Sequence, residues 1–176
     1  ELPAGTRLIA DEAFASSAVK SLTLPSSLTH VGNNAFQYCT SLAAVHISDL
    51  AAWCRVKFAS GTSNPLCYAH HLYLGNAEIE ALTIPNTVTS VSDYAFYECD
   101  GLKTVTIPDT VVSLGEKAFY GCGGITELSL PNGATSYGAY LFYNCSELVS
   151  VTIPPSQTTF STGMFSNCGK LKEIHI

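Results

Sequence analysis

Charge is scarce in this 176-residue sequence: Asp, Glu, Lys and Arg make up 12% of it, and the eight Lys and Arg never form a run. Binding to phosphate backbones or anionic membranes draws on clustered cations. With 14 Asp and Glu and a formal net charge of −6, broad electrostatic binding to nucleic acid or to a membrane surface is excluded. No apolar stretch approaches the ~20 residues of a membrane-spanning helix. Glu1-Leu2-Pro3 opens without a signal-peptide pattern, which places any targeting segment outside this sequence. A long helical run, a Cys-x-x-Cys pair and a Gly-x-Ser-x-Gly motif are all missing, which argues against a helical domain, a zinc knuckle and a serine hydrolase elbow. Apolar residues, by contrast, reach 47%, too many for a disordered chain.

What the sequence does contain is a repeat. Leu82–Asp100, Val105–Gly123, Leu128–Ser146 and Val151–Gly169 align without gaps. Pro85, Pro108, Pro131 and Pro154 recur at one constant interval, and so do Phe96, Phe119, Phe142 and Phe165. Cys99, Cys122, Cys145 and Cys168 keep the same step. Pro25, Phe36 and Cys39 mark a copy upstream, and Pro3 and Phe14 a still earlier one without the cysteine.

Each unit starts with a short alternation of apolar and polar residues, as in Leu102-Lys103-Thr104-Val105-Thr106-Ile107-Pro108. That period of two, rich in β-branched residues, predicts a strand with one buried face, and the proline closes it where a missing N–H costs least. The second half predicts an irregular or 3₁₀-like arm that turns back near Gly32, Gly115 and Gly138 and buries Ala35-Phe36, Ala95-Phe96 and Ala118-Phe119. One unit alone cannot cover its Leu, Val, Ile and Phe; stacked units turn each such position into a column of a continuous core. The predicted fold is a leucine-rich-repeat solenoid of the α/β horseshoe class, with a parallel sheet on the concave side and the arms on the convex side. Residues 1–176 then form a single array.

Thr106-Ile107-Pro108, followed by Val111, Leu114-Gly115, Ala118-Phe119 and Cys122, resembles the BspA-like leucine-rich repeats of bacterial surface proteins. The resemblance spans essentially the whole chain. It implies a secreted or surface-anchored protein with a role in adhesion to host proteins or other cells, and no cofactor. Because one fold serves many functions, the ligand has to be argued from a site.

The period breaks between Phe36 and Phe96, whose separation is not a whole number of repeats. The irregular unit spans residues 42–78 and holds Trp53, Cys54, Cys67, His46, His70 and His71. Asp49–Val56 predicts a short helix capped by Ser48 or Asp49, and His71–Leu74, Gly75-Asn76 and Ala77–Ile79 predict a hairpin with a primed turn. Similar inserts recur in the family the chain resembles, which makes this a variant unit; Cys67 departs from that pattern, where Tyr is expected. The last copies decay, with Ala134, Gln157, Tyr137 and Phe160 at inward positions. The chain starts at a strand end, stops before an expected proline and shows no polar cap at either terminus, so a segment of a longer protein is expected.

Candidate chemistry is thin. The five in-register cysteines read as core-filling thiols shielded from solvent, whereas Cys54 and Cys67 are a candidate disulfide that spacing does not decide. His70 and His71, with His46 and Asp49, lack a third orienting group at a known spacing; on a hairpin the two neighbours would face opposite sides. No catalytic and no metal-ligating set is assigned. Binding surfaces are the better candidates. Strand alternation aims Thr83, Thr104, Thr106, Glu127, Ser129, Ser150 and Thr152 outward, continued by Ser21, Thr23, His46, Glu173 and His175. Such a hydroxyl-lined face suits a macromolecular partner (a host or cell-surface protein, or a glycan), or else it is a set of Thr ladders bonded across strands. Tyr97, Tyr120 and Tyr143 form a second row, either an adhesive patch or a shield of stacked rings. A binding module, a structural spacer and, far behind, an enzyme with its site in the insert are the functions left open.

Overall fold

The computed structural model describes residues 1–176. Each predicted alternation forms a strand whose middle residue points into the core: Leu82, Val105, Leu128 and Val151 are buried between more open neighbours. Strands Ala81–Thr83, Thr104–Thr106, Glu127–Ser129, Ser150–Thr152 and Glu173–His175 pair in parallel as one five-stranded sheet. The register is one repeat long throughout, Val105 beside Leu82 and Leu128. This is the predicted parallel-sheet solenoid.

The arm is irregular as expected, but it contains ladders of its own that the periodicity does not announce. Two-residue strands Ser90–Val91, Ser113–Leu114 and Ser136–Tyr137 pair in parallel, as do Leu8–Ile9, His30–Val31 and Lys57–Phe58. The only 3₁₀ turn is Gly61–Ser63. Past Leu8–Ile9 and past Ser90–Val91, Ser113–Leu114 and Ser136–Tyr137, the N–H groups of alternate arm residues donate to the next turn: Tyr94, Phe96 and Glu98 bond the carbonyls of Glu116, Ala118 and Tyr120. Gly32, Gly115 and Gly138 are required here by proximity. A Cβ on Gly115 would collide with the backbone of Ser92 and Asp93, and one on Gly138 with Gly115 and Glu116.

Inside the arm the aromatic column is continuous from turn to turn. Phe96 and Phe119 stack at 5.0 Å, Phe119 and Phe142 at 5.3 Å, and Phe142 and Phe165 at 5.7 Å. The cysteine after each Phe has a structural reason. Except at Cys99, which follows the irregular unit, its thiol reaches the carbonyl of the preceding turn's Phe: Cys39 on Phe14 at 3.0 Å, Cys122 on Phe96 at 3.1 Å, Cys145 on Phe119 at 3.5 Å and Cys168 on Phe142 at 3.2 Å. A small apolar side chain with a weak donor fits that place; a larger one would push the turns apart.

The irregular unit divides the sheet, so the single continuous sheet expected from the repeat is two. Strands Ser21–Leu24, Ala44–Ile47 and Leu72–Leu74 run parallel, and Ala77–Glu78 then folds back antiparallel on Leu72–Leu74. That hairpin turns at Gly75, whose φ of 61° at the first turn position fits a type II′ turn. Asp49 caps the predicted helix, α1 (Leu50–Trp53), by accepting from the Ala52 N–H at 2.9 Å. A second helix, α2 (Leu66–Ala69), has no sequence forecast; its four residues are too few for a periodic signal. Where the backbone ladders lapse, side chains bridge the gap. Trp53 Nε1 donates to the Ala95 carbonyl at 2.9 Å, Asn64 Nδ2 to Tyr94 and Ala95 at 2.7 and 3.1 Å, and Tyr68 Oη accepts from the Tyr38 N–H at 2.9 Å.

Two inward assignments at the decaying end are corrected. Phe160 is exposed, and Gln157 is only half-buried, its amide donating to the Thr159 carbonyl. Ala134 stays in the core, and Tyr137 is half-buried. Glu173–His175 pairs with Ser150–Thr152, and Ile174 is 60% exposed.

Stability should follow these columns. Phe119→Ala empties a fully buried ring stacked on both faces and should cost about 3–5 kcal/mol. Lys117 is not the inert control its outward position suggests, because it lies 5.6 and 5.5 Å from the Tyr94 and Tyr140 rings. Exposed Lys172 serves instead, and Lys172→Ala should cost under about 0.5 kcal/mol. Gly115→Ala should cost about 1–3 kcal/mol by forcing two turns apart. Denaturant melts of the three variants measure this; equal midpoints for Phe119→Ala and Lys172→Ala would contradict the register.

Candidate binding surfaces

The pleat turns two rows of residues of the five-stranded sheet to solvent. Thr104, Glu127, Ser150 and Glu173 form one, and Thr83 and Thr106, then Ser129, Thr152 and His175, form the other. All the predicted members, Thr83, Thr104, Thr106, Glu127, Ser129, Ser150 and Thr152, lie on this face, and only Ser150 is partly covered. The expected cross-strand hydroxyl ladder is not formed. Hydroxyls that do bond across turns belong to the arm: Thr110 on the Val88 carbonyl, Thr135 on Val112 and Ser161 on Gly138. Those of the sheet face make no hydrogen bond within the protein, and between Thr104 and Thr152 they line a shallow groove of about 250 Å³.

The three tyrosines form a column of stacked rings. Tyr97, Tyr120 and Tyr143 stack face to face at 4.8 Å, with interplanar angles of 10° and 12°. Tyr97 also packs on Gly61, where a Cβ would strike its ring. The ring faces are thus occupied by one another, and burial raises the Tyr97 phenol above its ordinary range, with the Glu98 charge adding to it. What remains for a partner is a line of ring edges and hydroxyls.

A second groove, of about 550 Å³, lies on the first sheet between Ser21, Thr23, His46 and the Gly75-Asn76 turn. His46 and Tyr73 stack there at 4.8 Å, and His46 Nδ1 is 2.8 Å from the Gly75 carbonyl. Alternation alone places Tyr73 outward. Its pairing with His46 depends on a register that the regular period does not supply.

The histidines and Asp49 that looked like a site on paper are dispersed. Asp49 is the helix cap and His46 belongs to the groove; His71 Nδ1 pairs with Glu78 Oε1 at 2.6 Å across the hairpin. His70 is not on the hairpin at all. It ends α2 with φ 58°, and its Nδ1 lies 2.9 Å from the Glu98 carbonyl and 3.6 Å from Asp100 Oδ2. The Glu98, Asp100 and His70 ligand atoms lie within 4.8 Å of one another. Burial holds the Glu98 carboxyl above the usual carboxylate range, as does Asp100, and His70 is the one neighbour that opposes them. The long stretch of chain between His70 and the two carboxylates hides this group from any motif.

All seven cysteines are free thiols, so Cys54 and Cys67 are not bridged. Desolvation pushes Cys54 up to about 12 and Cys67 up to about 11. Cys39, Cys99, Cys122 and Cys145 are buried as expected, whereas Cys168 is half-buried. The neighbouring Cys168 thiol raises Cys145, with burial adding to the shift, and the Cys145 thiol lowers Cys168.

The columns, parallel ladders and turn length define a leucine-rich-repeat solenoid. The model of the BspA type Leucine rich repeat region (6 copies) matches residues 1–57 and 70–176, and the chain belongs to that family. The unmatched stretch is the middle of the irregular unit. Solved structures agree in fold. A leucine-rich repeat protein from Eubacterium ventriosum is 24% identical with a TM-score of 0.65, over 94% of this chain and 50% of that one. One from Bacteroides ovatus is 22% identical with a TM-score of 0.59, over 98% of this chain and 47% of that one. A leucine rich cell surface protein from Faecalibacterium prausnitzii is 22% identical with a TM-score of 0.52, over 94% and 62%. The chain therefore spans about half to three-fifths of these relatives. Comparison with curated proteins returns no match.

Thiol reactivity should rank by access and thiolate fraction. In native protein Cys168 should alkylate first and Cys67 far more slowly, while Cys39, Cys54, Cys99, Cys122 and Cys145 stay protected until unfolding. Mass spectrometry of trapped peptides reads the order. Rapid native labelling of Cys122 or Cys145 would contradict the packing of the column.

Proposed function

We propose that this array is a non-enzymatic binding module of a cell-surface or secreted bacterial protein, and that its five-stranded sheet is the docking face. The observation that carries this reading is the pair of rows of unbonded hydroxyls, held at fixed spacing by strands that cannot slip. An unpaired hydroxyl in water loses nothing by staying exposed, but a rigid set of them meets a partner with little ordering cost. Glu127, between Thr104 and Ser150, adds an acceptor for a cation or a sugar hydroxyl on that partner. A host or cell-surface protein, or a glycan, fits this surface, and adhesion is the role such contacts would serve. Family membership and a surface-named relative support the location. The longer chains of the relatives support reading residues 1–176 as one module of a larger protein.

A spacer is the alternative, and the stacked tyrosines favour it: their faces are used in holding turns together. No helix is long and apolar enough to cross a membrane.

The test is binding of the 176-residue chain to arrays of host proteins and glycans. Thr106→Lys with Ser129→Lys should weaken any bound partner by more than about tenfold, through bulk and charge at the centre of the face. Tyr120→Ala should lower the melting temperature more than it lowers affinity. Binding unchanged by the lysines, or absent from every array, would favour the spacer.

A further inference from the structure

We propose that His70, Glu98 and Asp100 hold one divalent transition cation of the zinc class, at the seam between the irregular unit and the turn that follows it. One imidazole and two carboxylates converge there, with one ligand atom from each inside a 4.8 Å span. A nitrogen and hard oxygens together suit zinc or its neighbours in the series, and calcium has little use for the nitrogen.

The hydrogen bonds of the protein leave this group incomplete. A proton on His70 Nδ1 goes to the Glu98 carbonyl at 2.9 Å, which also accepts from the Asp100 N–H at 3.1 Å on its second lone pair, so the imidazole is satisfied and the two carboxylates are not. Asp100 Oδ1 accepts from the Gly123 N–H at 3.0 Å, while Oδ2, 3.6 Å from Nδ1, has no donor in hydrogen-bonding range. Glu98 is half-buried against Gly121, and its carboxylate takes part in no hydrogen bond or ion pair. One proton serves one acceptor. A cation in its place serves Nδ1 and both carboxylates, and its two charges balance theirs.

Position adds a reason. Tyr38, Gly121, Asn144 and Asn167 stand where Glu98 does in other turns, and Thr40, Gly123, Ser146 and Gly169 where Asp100 does. Carboxylates fill both positions in this turn alone, and this turn faces His70 at the end of α2. A cation there would tie the irregular unit to the array, stabilising the fold by an amount that grows with the logarithm of its concentration above the dissociation constant.

Titration of the reduced, folded chain with Zn²⁺ by calorimetry should show one site per chain. His70→Ala and Glu98→Gln should each weaken it by more than about tenfold, and His30→Ala, at an exposed histidine outside both sites, should leave it unchanged. Co²⁺ should give a d–d spectrum without a thiolate charge-transfer band, which separates this site from the seven cysteines. Circular dichroism checks that the variants fold; Glu98→Gln removes charge and keeps the shape. The proposal is overturned by no saturable binding, by binding that survives both variants, by a thiolate band, or by Ca²⁺ binding as tightly without regard to His70. Failure here would leave the docking face untouched, since no residue is shared.

Discussion

Every turn of this protein depends on hydrogen bonds to the turns beside it. Strands two to four residues long have almost no internal stability, and the polar groups of one turn are satisfied chiefly by the next. The main sheet, the short arm strands and the alternate N–H groups of the arm all repeat this bond at one register. That register dictates the side chains. Phe must lie over Phe, a small thiol must fit under the carbonyl of the turn before, and Gly115 and Gly138 must carry no Cβ.

The irregular unit shows what happens when the register is lost. With no regular arm between Phe36 and Phe96, side chains supply the missing bonds: Trp53, Asn64 and Tyr68 each satisfy a backbone group that a regular turn would have satisfied. Their residue types are therefore explained by the seam, and Trp53, the sole tryptophan, is a fully buried example. Burial with a satisfied N–H is the arrangement an indole requires. Chemistry left over at the seam stands out by contrast. Glu98 and Asp100 bring charge into a turn whose counterparts are mostly neutral, and only His70 answers it.

The same contrast separates the two surfaces. Stacked tyrosines and free sheet hydroxyls were equally visible as periodic residues. Packing then used the faces of the tyrosines and left the hydroxyls unbonded. Side chains on a flat sheet stand about 5 Å apart across strands, too far for short hydroxyls to reach unless they turn toward one another.

The sequence by itself determined the repeat length, the strand positions, the buried columns, the capped helix α1 and the hairpin, because each rests on local periodicity or turn chemistry. Thr83, Thr104 and Thr106 were legible as outward residues for the same reason. Only the tertiary structure decided that Cys168 lies half open, that the sheet divides in two, that Lys117 sits between two rings, and that His70 meets Glu98 and Asp100. These outcomes depend on which turn stands next to which, and at which register. Across an insert that breaks the period, no local pattern carries that information.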